Sequence, residues 1–144
     1  MADRPTVARL ARYLGALALL GVGVDHIEQY SVDSYSAIPT IGTLFLLNFV
    51  SATLVALGLL APIERVAGRW AAPARALLAA AGVWIAAGSL AGLLVSEQGG
   101  LFGFREQGYR EAIVVSMALE VGAMVLLGVF LARARLGSRV GSPA

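Results

Sequence analysis

The sequence contains no cysteine and no lysine, and its only histidine is His26. The lack of cysteine excludes disulfides, thiolate metal sites and dithiol redox chemistry. A single histidine excludes a bis-histidine haem within one chain. Charged residues are also scarce, at 14% of the 144 residues, whereas a soluble domain carries about a quarter. An ordinary soluble domain is therefore not expected.

Apolar residues make up 58% of the chain and fall into four blocks. Each block is about twenty residues long, which is the length that an α-helix needs to cross the hydrocarbon core of a bilayer. The sequence predicts an all-α fold: one integral membrane domain, 1–144, built as a four-helix transmembrane bundle. The predicted helices span about 7–27, 41–60, 76–95 and 112–132.

The arginines predict how the bundle is oriented. The N-terminus, the 61–75 loop and the C-terminal tail hold three arginines each, whereas the other two loops hold two between them. By the positive-inside rule, both termini face the cytoplasm. The opposite side carries six acidic residues. The positive net charge of +2 thus comes from arginines that mark the cytoplasmic side of the membrane. Because these arginines are explained by topology, we expect no nucleic-acid partner. An all-arginine basic set with abundant Ala and Gly suggests a GC-rich bacterium, which places the protein in the plasma membrane.

The two halves of the chain show a weak internal repeat. Aligning 44–60 with 116–132 matches Asn48 to Glu120. Two such halves would form tandem helical hairpins related by an axis along the membrane normal. Matches among Leu, Val and Ala also arise by chance, so duplication and coincidence both stay open.

Glu120 is the most informative single residue, because it lies near the middle of the fourth predicted span. An ionised carboxylate at that depth costs several kcal/mol. Ser116 lies on the same helical face, and Asn48 is the natural partner on another helix. Glu120 is therefore either a proton-binding or ligand-binding carboxyl, or a protonated side chain that joins two helices by hydrogen-bonding Asn48 or Ser116.

A second polar group lies where the first helix reaches the outer surface: His26 with Asp25, Glu28 and, slightly later, Tyr35. One histidine and two carboxylates are possible metal ligands. However, Asp25 and His26 are adjacent and point about 100° apart on a helix. We therefore expect no metal and no other cofactor. His26 is either a titrating or hydrogen-bonded interfacial residue, or a plain surface residue.

Small residues in the third span predict contacts between helices. Gly88 and Gly92 are spaced for close backbone approach, either within the bundle or in a homo-oligomer. Serines such as Ser51, Ser89 and Ser96 have no evident base and are expected to bond back to helix carbonyls. No catalytic triad, nucleophile elbow or phosphate loop is present, so no catalytic residue is predicted.

The stretch from Tyr35 to Asn48, YSAIPTIGTLFLLN, resembles a phrase found in small uncharacterised four-helix membrane proteins of high-GC bacteria. In overall design the chain is also similar to DoxX-like proteins, which have four helices, cytoplasmic termini and polar groups near the outer leaflet. The resemblance implies the fold and assigns no role to any residue.

The sequence favours a non-enzymatic membrane protein, either an accessory subunit or a binder of a membrane partner or lipid-like ligand. The alternative is a small proton-coupled transporter or channel that uses Glu120. Almost no polar residue lies between Glu120 and the cytoplasmic side, which disfavours a continuous path. A quinone-linked redox subunit is a third hypothesis.

Overall fold

The computed structural model describes residues 4–105 and 111–140, without the side chains of 4, 5 and 136–140. Within these residues the chain folds into four long helices, and a short α3 follows the second of them. Two 3-10 turns, Tyr35–Ala37 and Gly68–Trp70, precede α2 and α4. The helices are α1 Arg4–Ser31, α2 Pro39–Leu60, α3 Glu64–Ala67, α4 Ala71–Gly99 and α5 Glu111–Val140.

The predicted all-α four-helix bundle is confirmed, and the helices run beyond the predicted spans. α1 ends at Ser31 instead of the predicted residue 27, and α5 continues to Val140 instead of stopping near 132. Hydropathy marks the part of a helix that lies in hydrocarbon, whereas backbone hydrogen bonding continues into the interface. Pro39 occupies the first turn of α2 as expected, because its missing N–H has no partner at a helix start.

The four long helices pack as a square. α1 lies beside α2 and α5, and α4 lies beside the same two helices. α1 and α4 touch only slightly across one diagonal, and in the described residues α2 and α5 do not pack directly on each other across the other. The helices that correspond in the predicted repeat therefore lie on diagonals, as two tandem hairpins require. Gene duplication itself stays a prediction.

The bundle has two unlike halves. We call the end where α1 and α4 finish and α2 and α5 begin the cavity half, and the opposite end the packed half. The packed half, extending to the middle of the bundle, holds a core of fully buried alanines and leucines from all four long helices, including Leu19, Leu59 and Leu127. Arg12 is buried near its far end, with its guanidinium 4.4 Å from the centre of the Tyr13 ring.

Leu127 shows how closely the packed half is filled. A Cβ atom built on Gly15 would lie 2.7 Å from Leu127 Cδ2, and one built on Gly82 would lie 2.7 Å from Leu127 Cδ1. The Leu127 side chain thus occupies the space that two glycines leave on α1 and α4. Small residues let helices approach closely in this way inside a membrane.

The outside of the bundle is apolar. Exposed side chains include Leu54, Leu77 and Trp84 along the middle of the helices. All four long helices are long and apolar enough to cross a membrane, and most residues of their apolar stretches are not buried inside the bundle. A soluble monomer rarely exposes so much contiguous apolar surface. The chain is a multi-pass membrane protein whose outer surface faces the lipid bilayer.

Candidate functional site

The cavity half encloses a cavity of about 210 Å³ between the four long helices. Its walls are mostly aliphatic and aromatic, with a few polar side chains projecting from different helices. The polar lining residues are His26 and Gln29 on α1, Asn48 on α2, Ser89 and Ser96 on α4, and Ser116 and Glu120 on α5. Such a site, apolar with a few placed polar groups, is typical of small-molecule binding.

Tyr35 closes the cavity from the loop that precedes α2. Its side chain is 5% exposed and stacks on Phe45 with ring centres 4.6 Å apart. Phe104 meets the same tyrosine ring edge-on, at 5.5 Å. The 3-10 turn sits close to α2 because Gly42 has no side chain: a Cβ there would lie 2.7 Å from the Tyr35 carbonyl oxygen. The phrase from Tyr35 to Asn48 thus builds one wall of the cavity.

His26 is a buried residue with both ring nitrogens engaged. Its Nδ1 lies 2.9 Å from the Val22 carbonyl oxygen, one helical turn earlier. A carbonyl can only accept, so Nδ1 carries the proton. In the neutral ring Nε2 is then the acceptor, and it receives the hydroxyl proton of Ser89 over 2.9 Å. Of the two alternatives from the sequence, the structure agrees with the hydrogen-bonded histidine and not with a plain surface residue.

Glu120 lies at the inner end of the cavity and is 1% exposed. The hydroxyl groups of Ser89 and Ser116 lie within hydrogen-bonding reach of its carboxyl group. Oxygen Oε2 has no hydrogen-bond partner among the described residues. Ser89 therefore bonds to the ring of His26 and lies beside the carboxyl group of Glu120.

Asn48 faces the same cavity from α2 but is not the partner of Glu120. Its Oδ1 is buried and lacks a hydrogen-bond partner in the described part of the chain. The predicted bond between Asn48 and Glu120 is therefore wrong, because their helices lie on a diagonal with the cavity between them. Buried polar atoms are satisfied in most structures. Two unsatisfied oxygens on opposite walls of one cavity therefore need an explanation.

Asp25 and Glu28 do not reach the cavity. Asp25 is buried beside it, where its Oδ2 accepts a hydrogen bond of 2.7 Å from Gln29 Nε2. Glu28 is exposed on another face of α1. Asp25 Oδ2 is 3.9 Å from His26 Nδ1, which already donates to a backbone carbonyl. Among the described residues no three potential ligands from His, Cys, Asp and Glu come together at a metal-binding distance.

Gly88 and Gly92 border the cavity instead of a helix contact. A Cβ on Gly88 would meet nothing within 4 Å, and one on Gly92 would meet only Leu101 Cδ2 at 3.8 Å. The predicted close packing of these glycines within the bundle is wrong. A homo-oligomer formed through them stays a prediction. The glycines that do meet neighbouring helices closely, such as Gly15 and Gly82, have no GxxxG spacing.

Ser89 and Phe104 are site residues that sequence reasoning missed. Ser51 does bond back to the Leu47 carbonyl as predicted, at 2.7 Å, whereas Ser89 instead faces His26. The sequence does carry a signal for Ser89: residues 89, 92, 93 and 96 follow the i, i+3, i+4, i+7 spacing of one helical face and are mostly small. Phe104 gives no such signal, because a loop residue's direction depends on the turn around it.

The cavity reaches the lipid-facing side of the bundle. Leu44 on α2 and Gly88 on α4 both line it, yet Leu44 is 42% exposed and Gly88 is exposed as well. The cavity therefore opens beside α2 and α4. In the opposite direction it ends at Glu120, beyond which the apolar core of the packed half follows.

Comparisons of the chain with family models, curated proteins and solved structures give no match.

Proposed function

We propose that this protein is a non-enzymatic membrane protein that holds a small lipid-like ligand in the cavity half, either for its own role or as an accessory subunit of a membrane partner. The observation that carries the proposal is the buried, unpartnered Oε2 of Glu120 at the closed end of a cavity of about 210 Å³. Apolar walls accommodate an apolar body, and the few polar groups orient it. The side opening at Leu44 and Gly88 lets such a ligand enter from the bilayer.

We also propose a bacterial plasma membrane as the location, with both termini in the cytoplasm. The arginine distribution supports this orientation. It directs the cavity half outward, so the polar groups lie in the outer leaflet. The proposed resemblance to DoxX-like proteins would imply the same orientation, and it assigns no role to any residue.

Native mass spectrometry of the protein released from membranes tests the proposal. We expect the wild type to retain a bound small molecule when it is released from the membrane. Gly92→Leu should carry none, because its new side chain fills the cavity. The matched control is Gly122→Leu on α5, which adds the same volume at a position that does not line the cavity and has open space around it. If the wild type and both variants carry the same adducts, the proposal is wrong.

A proton-coupled transporter remains the second candidate, because the Ser89 hydroxyl that bonds to His26 also lies beside the carboxyl group of Glu120. A proton exchanged between the carboxyl and the imidazole would pass through this hydroxyl. The packed half argues against complete passage, because the buried core there is built from alanine and leucine. Proton flux into liposomes that disappears in Glu120→Gln would favour the transporter over the binder.

A further inference from the structure

The cavity presents two unsatisfied oxygens: an amide oxygen, which accepts hydrogen bonds, and a carboxyl oxygen, which accepts them when the group is ionised. They are Oε2 of Glu120 on α5 and Oδ1 of Asn48 on α2. No donor atom among the described lining residues is buried without a partner. An unsatisfied buried acceptor is compensated only by a donor. A ligand that satisfies Asn48 Oδ1 and an ionised Glu120 therefore supplies N–H or O–H groups.

The charge around the cavity indicates which kind of hydrogen-bond donor the ligand carries. Glu120 is an acid, and an ionised carboxylate buried alone is costly unless a positive charge accompanies it. His26 supplies none in the neutral form, in which Nδ1 donates to a carbonyl and Nε2 accepts from Ser89. The described surface at this end of the bundle offers one exposed arginine, Arg105, against four exposed or half-buried acids: Glu28, Asp33, Glu97 and Glu111. Such a surface attracts cations.

The aromatic wall suits the apolar body of a ligand. Phe45 contacts both His26, at 4.9 Å between ring centres, and Tyr35, at 4.6 Å. The rings of Tyr35 and Phe45 line the same cavity as Glu120. Aromatic rings bury a large apolar area against another ring or an aliphatic chain.

We infer that the ligand is a protonated amine, whose ammonium group donates hydrogen bonds to Glu120 and Asn48 and whose apolar body fills the aromatic part of the cavity. The inference rests on the proposed function, since it names the ligand class for the same cavity. Size limits the body: a cavity of roughly 150 Å³ holds benzene, so about 210 Å³ holds one aromatic ring and a short chain.

Three matched probes test the charge of the ligand. They are 2-phenylethylamine, 2-phenylethanol and phenylacetate, which share a ring and a two-carbon substituent and carry a positive, a neutral and a negative group. Binding to the full chain in nanodiscs is measured by calorimetry. The signal from empty nanodiscs is subtracted to correct for partition of the probe into lipid. We expect the amine to bind at least about tenfold more tightly than the alcohol, because hydrogen bonds between charged groups are the stronger ones. Phenylacetate is expected to bind most weakly.

Glu120→Gln removes the charge and keeps the shape of the side chain. In this variant we expect the amine to lose its advantage over the alcohol, while the affinity for the alcohol changes less than about threefold. Gly92→Leu should abolish binding of all three probes, and Gly122→Leu should preserve it. The ranking of the probes on the wild type decides the inference even if Glu120→Gln fails to fold.

The possible failures are distinguishable. If the alcohol or phenylacetate binds the wild type as tightly as the amine, or if Glu120→Gln retains the preference for the amine, the ligand class is wrong and the binding function stands. If no probe binds more tightly to the wild type than to Gly92→Leu, the proposed function is wrong as well.

Discussion

The two halves of this bundle use the same four helices for opposite purposes. In the packed half, alanines and leucines fill the space between helices, and the leucine methyl groups lie against glycines of neighbouring helices. In the cavity half, polar side chains from all four long helices surround a cavity of about 210 Å³, and two of their oxygens have no described partner. Membrane helices associate largely through close packing. The packed half therefore supplies the stability that lets the other half remain open.

The largest effect is expected where packing is closest. Leu127→Ala removes a fully buried side chain that lies against Gly15 and Gly82, and we expect it to lower the free energy of unfolding by about 2–5 kcal/mol. Leu44→Ala, at the open edge of the cavity, is the matched control and should cost well under half as much. Reversible unfolding in mixed micelles measures both variants. Equal losses would mean that the halves do not differ in packing.

A smaller loss of stability is expected at Gly42, where the 3-10 turn that carries Tyr35 packs on α2. In Gly42→Ala the new Cβ would lie 2.7 Å from the Tyr35 carbonyl oxygen and 3.1 Å from Ser36 Cα, and both are backbone atoms with little freedom to move. We expect a cost of about 1–3 kcal/mol. The turn should also lift, so that Tyr35 no longer stacks on Phe45. Near-ultraviolet circular dichroism reports the loss of stacking, and Gly99→Ala, with open space around its Cβ, serves as the control. An unchanged aromatic signal would contradict the assigned role of Gly42.

The hydrogen bond between Ser89 and His26 is expected to contribute less. Ser89→Ala leaves Nε2 without its donor, which should cost about 1 kcal/mol. Nitrogen NMR of labelled His26 should show a proton on Nδ1 and none on Nε2, with the Nε2 resonance shifting in the variant. Ser51→Ala removes only a bond to its own helix and should leave that resonance unchanged. A proton found on Nε2 at neutral pH in the wild type would contradict the assigned tautomer.

The smallest effect is expected at Asn48. Because its Oδ1 has no described partner, Asn48→Leu removes no hydrogen bond from that atom and should change the free energy of unfolding by less than about 0.5 kcal/mol. Binding of the amine probe should nevertheless weaken, since an acceptor of the cavity is lost. A large loss of stability with unchanged binding would indicate a structural role for Asn48.

Some features of the site are visible in the sequence. A carboxyl in the middle of an apolar span is costly without compensation, so the apolar pattern around Glu120 is enough to mark it as informative. His26, Asn48 and Ser116 are polar groups in apolar surroundings, and all three line the cavity with Glu120. Asp25 and Glu28 are close to His26 in sequence, which suggests a single group. A helix directs neighbouring residues to different faces, so neither of them lines the cavity.

Other features depend on which helices are neighbours. Asn48 and Glu120 lie at comparable depth, which suggests a bond between them, but depth along a helix says nothing about position around the bundle. Gly88 and Gly92 have the spacing of a packing motif, whereas the closest contacts occur at Gly15 and Gly82. Close approach depends on the helix opposite, and that helix is not encoded in the local spacing.

The amino-acid pattern is enough to predict four membrane-spanning helices, because a hydrocarbon core about 30 Å thick requires runs of about twenty apolar residues. It also predicts that Glu120 needs compensation, because charge is costly at that depth. The surroundings of Glu120, in contrast, depend on how the helices are arranged. Placing α2 and α5 on a diagonal separates Asn48 from Glu120 and leaves a cavity between them, while α4 brings Ser89 to His26. Contacts between distant segments arise from how four helices share one core, and that arrangement is a property of the whole bundle.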